Sequence, residues 1–357
     1  MPGSLKAPSS MDVSVVIPTH RRPEKLSSCL AALASQTLDP RRYEVLVGLD
    51  GPDPDAQRAA RRAWGSCPAE MTVTPCERRG YNAVRNTLLG QARGTYLVSL
   101  NDDVVPASDL LETHAREQAR AEDRLGPSII SGHSPWRVWP DETVFDRVVS
   151  ETSLIFFFDQ MNAQRVEALG PWHDWGFRHC YGLNFSARTD LLRRAGGFTD
   201  FHRAYGYDDI EIAFRLSRRH GTRILYRPRA VAEHDHRYGV DETFAREYRL
   251  GHSAWRYAAR DPEFGEAVFG RDIRTTGEIA YSREFLHRER GLASSALEST
   301  RSIGAMPVER LGGSDLPALV RMAYLHILPA KRWMWRAGLL AAAEDRPADE
   351  AVFPEAL

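Results

Sequence analysis

Several large functional classes are excluded by what this chain lacks. Its 47 Lys and Arg offset 48 Asp and Glu, a formal net charge of -1, so nothing pulls it generally toward nucleic acid or an anionic membrane. The four cysteines, Cys29, Cys67, Cys76 and Cys180, show no close ligand pairing, so neither a zinc site nor a disulfide framework is indicated. No run of about 18 apolar residues occurs, so no spanning helix is expected. Thr19 to Pro23, the turn after the first strand-like run, has no glycine, so a Walker-type loop cannot cradle phosphate there. Residues 1–10 are Pro/Ser-rich without an apolar signal segment. They are expected to be a disordered leader, with Met11 as the working start and the protein cytoplasmic. What remains is 357 residues, 43% hydrophobic and 27% charged, enough for a substantial core and ordinary for a globular enzyme.

The informative stretch is Gly94 to Pro106. Tyr96 to Leu100 is a short apolar run of the buried-strand type. It ends in Asn101, Asp102 and Asp103, with Pro106 closing the segment. Adjacent carboxylates repel, and burying either without compensation is costly. A divalent cation removes that cost, and hard oxygen ligands suit Mg²⁺ or Mn²⁺. The plainer alternative is a polar turn whose acids cap the next helix.

Around this stretch strand and helix alternate. Asp12 to Pro18 is a β-branched run stopped by proline, followed by a helix carrying Leu26, Leu30 and Leu33. Tyr43 to Leu49 is a second strand ending at Asp50-Gly51, and Met71 to Thr74 a third. Gly80 to Leu89 reads as a loop entering a helix. Four such alternations predict a mostly parallel α/β sheet flanked by helices. In such sheets ligands bind at the carboxyl ends of strands, where Pro18, Thr19, Asp50 and Asn101 to Asp103 all fall.

Farther on, Pro127 to Gly132 and Ile224 to Pro228 read as strands, and Cys180 to Arg188 as a strand passing into a helix. Gly206-Tyr207-Asp208-Asp209 opens another helix with acids in its first turn, and Val231 to His236 leads off the last strand. From about Gly239 the chain is polar and helical. A loose segment is expected around Gly291 to Gly313, then apolar helices over Leu316 to Ala343, interrupted in their period by Pro329.

In this order and at these separations the segments VVIPTHRR, VGLDG, GYNAVRNTLL, LVSLNDDV, GLNFSARTDLLRRAGGF, GYDDIEIAFRL and EHDH resemble the family 2 glycosyltransferases of the GT-A (Rossmann-like) fold. The resemblance runs from about Asp12 to His236. Two departures stand out: Leu49-Asp50-Gly51-Pro52 replaces the common Asp-Asp-Gly-Ser, and Asn101 stands where an Asp is common. The implied organisation is a catalytic domain over 11–238, with a nucleotide-binding half (about 11–106) and an acceptor half (about 107–238). A mainly helical extension, 239–357, follows.

The resemblance implies an inverting enzyme moving a sugar from a nucleotide-diphosphate donor, UDP-linked by preference, to an acceptor hydroxyl with Mn²⁺ or Mg²⁺. Asp103 is the expected metal ligand, joined by His234 or His236 unless these are surface loop residues, while Asp102 addresses ribose or sugar. Asp209 is the expected general base and Asp208 its companion, with helix capping as the alternative for both. Glu211 is expected to pair with Arg215 one turn on. Pro18, Thr19 and Asp50 would line the base and ribose pocket. Arg85 and Asn86 resemble the family's Arg-Asn and would touch the donor or organise the acids. Tyr181, Gly182 and Asn184 sit where the family meets the transferred sugar and acceptor, and Trp175 is an aromatic candidate for stacking on a sugar.

The acceptor is left open among glycan, lipid-linked, peptide and small-molecule classes, with no nucleic acid as partner and a homo-oligomer allowed. Membrane contact is at most peripheral, at the inner face through the C-terminal helices, and packing is preferred for them. The rival readings are a metal-dependent nucleotidyltransferase and a non-catalytic nucleotide-sugar-binding relative.

Overall fold

The computed structural model describes residues 11–201, 205–312 and 315–354; the leader expected over 1–10 lies outside them. Two compact units emerge. The first holds residues 11–137, 163–201 and 208–236, and the second 138–162, 205–207 and 237–354.

The first unit is built on one eight-stranded sheet. Its strands in chain order are β1 (Val13–Thr19), β2 (Tyr43–Asp50), β3 (Glu70–Cys76), β4 (Tyr96–Leu100), β5 (Val104–Pro106), β6 (Ser128–His133), β7 (Asn184–Arg188) and β8 (Arg223–His234). They lie side by side as β3-β2-β1-β4-β7-β6-β8-β5. β1 pairs in parallel with β2 and β4, and β2 with β3. β7 runs antiparallel between β4 and β6, and β5 antiparallel to the end of β8. The sheet is therefore mostly parallel, as the alternation of elements predicts. Central β1 is buried at every residue, whereas edge strand β3 alternates toward solvent, the pattern expected when only interior strands are covered on both faces.

Local chemistry sets the helices. Asp53 caps the helix Pro54–Trp64 by accepting from Ala56 N at 2.9 Å, and Gly65 ends it at φ 56°. The helix Tyr81–Gln91 lies tight on β2: a Cβ at Gly48 would sit 2.2 Å from Val84 Cγ1. One apolar core joins this helix to β4, β7 and the helix Asp208–His220 through Val84, Leu88, Leu97, Phe185 and Ile212. That core carries the strand-end acids and the 208–209 doublet on one framework.

β8 runs past the end expected at Pro228. Its pairing with β6 jumps from Arg227 opposite Gly132 to Val231 opposite His133, so the strand absorbs Pro228 at an irregularity and continues to His234.

The second unit is helical. Residues 290–304, inside the segment expected to be loose, form the helix Arg290–Gly304, which buries Ala293, Ala296 and Leu297 at three- and four-residue spacing. The helix Leu316–Ala343 is continuous through Pro329, which has no N–H for the carbonyl of Leu325 one turn back, on a residue that is 55% exposed. This helix crosses Val240–Arg260 at glycines: a Cβ at Gly251 would lie 1.8 Å from Trp335 O, and one at Gly338 1.9 Å from Tyr248 O. Gly338→Val is expected to lower the melting temperature by about 5–10 °C, because a backbone cannot step aside as a side chain can. No helix among the described residues is long and apolar enough to cross a membrane.

Candidate active site

The carboxyl end of β4 supplies the central acids. Asp102 is fully buried; its Oδ2 accepts from Thr19 Oγ1 at 2.6 Å and its Oδ1 from Arg22 Nη1 at 3.2 Å. Both oxygens are engaged, so Asp102 ties the ends of β1 and β4 together, where the sequence suggested a contact to ribose or sugar. Burial and the neighbouring Asp103 charge push its pKa up to about 6. Asp103 Oδ2 accepts from Arg22 Nη1 at 2.7 Å, while Asp103 Oδ1 is buried with no hydrogen-bond donor in reach. At Asp103 burial again acts upward but is outweighed by His234, Arg22 and His236, which hold the carboxyl below the usual range.

The histidines reach this point because β5 pairs with the end of β8, with Val104 opposite His234. Asp235 N donates to Asp103 O at 2.8 Å, and His234 N to Pro135 O at 2.8 Å. His234 Nε2 then lies 3.7 Å from Asp103 Oδ1, and His236 Nδ1 3.7 Å from Asp103 Oδ2. Trp136 packs on His234 with ring centroids 4.4 Å apart. Between the histidines, Asp235 is clamped by Lys25 and Arg137, each at 2.9 Å.

Among the described residues no group of three or more His, Cys, Asp and Glu forms a ready-made metal cage. A buried carboxylate oxygen without a donor, facing imidazole nitrogen across a gap one ion can span, nevertheless fits a divalent cation that takes its remaining ligands from substrate. Carboxylate with imidazole suits Mn²⁺ better than Mg²⁺.

Arg85 links this strand end to the second acidic pair. Buried within the first unit, it donates through Nη1 to Asp208 Oδ2 at 2.5 Å and through Nη2 to Asn101 Oδ1 at 3.2 Å. Asp209 Oδ2 accepts from Gly182 N at 2.6 Å and Oδ1 from Ile210 N at 3.0 Å. Burial, then the charge of Asp208, pushes the Asp209 pKa up to about 6. Gly182 has no room for a side chain: a Cβ would lie 2.7 Å from Arg85 Nη2 and 3.3 Å from Asp209 Oδ2. Glu211 takes no part, since both its oxygens bind Arg215 as the i,i+4 spacing predicts.

Other expected site residues are placed differently. Asp50 Oδ1 accepts from Arg79 N and Gly80 N at 2.9 and 3.0 Å, organising the entry to the helix Tyr81–Gln91. Pro18 is buried in β1 opposite Gly48. Asn86 is committed to Phe198, donating to its O and accepting from its N at 2.8 Å each. Asn184, expected to meet sugar or acceptor, is 1% exposed. It accepts from the His114 ring at 2.9 Å and donates to Ala230 O at 2.9 Å and His133 O at 3.2 Å. Its amide thus holds the β6–β8 irregularity. Tyr181 is buried and its carbonyl accepts from Asn184 N at 3.1 Å. Trp175 joins His173, His179 and Tyr226, with ring centroids 5.1, 5.8 and 6.1 Å away.

Sequence reasoning missed Arg22 and the Asp235 clamp. Arg22 lay in the quoted THRR segment, but no periodicity distinguishes a cation that returns to its own sheet from one in solvent.

The family model described as glycosyl transferase family 2 matches residues 14–180. A pre-mycofactocin glycosyltransferase of Mycobacterium tuberculosis is 26% identical over 72% of this chain and 49% of its own length. Glycosyltransferase AglE of Haloferax volcanii is 34% identical over 28% of this chain and 33% of its own. The chain thus spans between a third and a half of the length of these curated relatives. Among solved structures, a mannosyltransferase from Pyrobaculum calidifontis, described in complex with GDP-Man and Mn²⁺, aligns over 96% of this chain and 90% of its own. Its TM-score is 0.54 at 20% identity, a likeness of fold. Residues 14–180 thus carry the glycosyl transferase family 2 match, on a fold shared with GT-A glycosyltransferases.

Proposed function

We propose that this chain transfers a sugar from a nucleotide-diphosphate donor, UDP-linked by preference, to an acceptor hydroxyl, with inversion at the anomeric carbon. One observation carries the reading: Arg85 binds both Asn101, beside the strand-end acids, and Asp208, 123 residues away in sequence. One guanidinium thereby joins the strand end that carries Asp102 and Asp103 to the 208–209 doublet.

On this reading Asp209 takes the proton from the attacking hydroxyl. Its pKa of about 6 leaves it ionised at neutral pH yet basic enough to accept a proton. Gly182 N–H and Ile210 N–H fix the carboxylate's orientation. Asp208, paired with Arg85, holds sugar or acceptor hydroxyls. Asp103 with His234, or with His236, would hold Mn²⁺ or Mg²⁺. When bound, that ion supplies Lewis-acid neutralisation of the departing diphosphate. With Asp209 as base and no nucleophile assigned among the described residues, the reading is a single attack with inversion. The nucleotide-binding half is residues 11–106, with Thr19 and Asp50 at its strand ends, and the acceptor half extends to about 238. The acceptor is a glycan, lipid-linked, peptide or small-molecule hydroxyl.

The experiment is a thermal-shift screen with Mn²⁺ against UDP-, dTDP- and GDP-sugars, with GDP-mannose included because it names the Pyrobaculum complex. A UDP-sugar is expected to raise the melting temperature most, by mass action on the folded state. A larger shift with GDP-mannose would overturn the UDP preference, and no shift with any donor would overturn the donor site.

A further inference from the structure

Arg22 is the N-cap residue of the helix Pro23–Leu33, yet its side chain makes no cap bond. A cation there sits at the positive end of the helix dipole, where an anion is favoured, so helix chemistry does not explain the residue. Arg21 before it takes φ 53°, a left-handed backbone uncommon for a long side chain. From this bend Arg22 reaches the end of β4 and spans Asp102 Oδ1 and Asp103 Oδ2. The acids it neutralises are buried, but its own side chain stays 38% exposed. The guanidinium can therefore turn toward water, where it regains hydration, and the buried carboxylates cannot.

Asp103 consequently faces two claims. Arg22 holds Oδ2, while Oδ1 lies buried without a donor beside His234. A dication on that carboxylate would be repelled by a guanidinium still seated on its other oxygen.

We propose that Arg22 is the internal counter-ion of Asp103 in the ligand-free protein, and that it yields Asp103 to the divalent cation and moves onto the donor diphosphate as the two bind. The proposal rests on Asp103 being the cation ligand. A diphosphate offers the anionic oxygens that a planar guanidinium fork and a helix N-terminus both favour. A cation arriving alone competes with Arg22, whereas one arriving with the diphosphate gives Arg22 somewhere to go. Cation and nucleotide then tighten one another by the same factor.

The experiment titrates Mn²⁺ alone, followed by electron paramagnetic resonance, and UDP alone, followed by calorimetry, into the wild type, Arg22→Gln, Arg22→Met and Arg22→Lys. The two neutral variants are expected to bind Mn²⁺ about tenfold more tightly than the wild type and UDP about tenfold more weakly. Arg22→Lys keeps the charge and is expected to keep weak Mn²⁺ binding. Mn²⁺ binding that is unchanged or weaker in both neutral variants overturns the proposal, because a purely structural arginine would lose affinity for both ligands. A wild type that fails to bind Mn²⁺ even with saturating UDP instead overturns the reading of Asp103 itself.

Discussion

Asp209→Asn is expected to cut turnover by about 10²-fold or more while leaving UDP affinity within about twofold of the wild type. Asparagine keeps the shape and one acceptor oxygen, so it retains one of the two backbone bonds, from Gly182 N–H or Ile210 N–H, that orient the carboxylate. It also loses the ability to take a proton. The nucleotide is held elsewhere on this account, so donor affinity should not follow turnover. Steady-state kinetics together with UDP calorimetry separates the two quantities. Loss of UDP affinity at unchanged turnover would assign Asp209 to donor binding.

The same residue sets a pH profile. Its folded pKa of about 6 lies above the ordinary aspartate value, through burial first and the charge of Asp208 second. With Asp209 as the base the active form is the ionised one, so kcat/KM should rise as pH increases through about 6 and level off above. That limb should vanish in the Asn variant. A profile flat between pH 5 and about 7 in the wild type would exclude Asp209 as the titrating base.

Asp103→Asn is expected to abolish the Mn²⁺-dependent part of UDP binding, a loss of about 10²-fold when the two are titrated together. The substitution removes charge from the one strand-end carboxylate that has an oxygen buried without a donor. Arg22 keeps a partner in Asp102, so the fold should survive, and a melting curve in buffer checks this. Calorimetry with and without Mn²⁺ should then give one UDP affinity. A persisting metal effect would move the cation away from Asp103.

The parts of this site legible in the sequence are those governed by short-range rules. An apolar run that stops in acids gave the end of β4, and i,i+4 spacing gave the Glu211–Arg215 pair. Residues whose partners lie across the fold were not legible. Asn86 and Asn184 look alike on paper to a ligand-binding amide and to one that fastens a distant backbone. Here Phe198 takes the first, and His114, Ala230 and His133 take the second. β8 was foreshortened because Pro228 reads as a stop, whereas its irregular pairing with β6 lets the strand run on to His234. That extension brings the histidines to Asp103, so the least predictable stretch of strand is the one that completes the site. In the helical unit, the glycines at 251 and 338 are where two backbones meet, a long-range contact that helix periodicity does not show.

At the centre of this account, one carboxylate deprotonates the acceptor for a single in-line attack. Proton NMR of the first-formed product, made from a donor of known anomeric configuration, tests this most directly. The opposite configuration is expected at the transferred carbon, and a product that keeps the donor's configuration would exclude a single displacement.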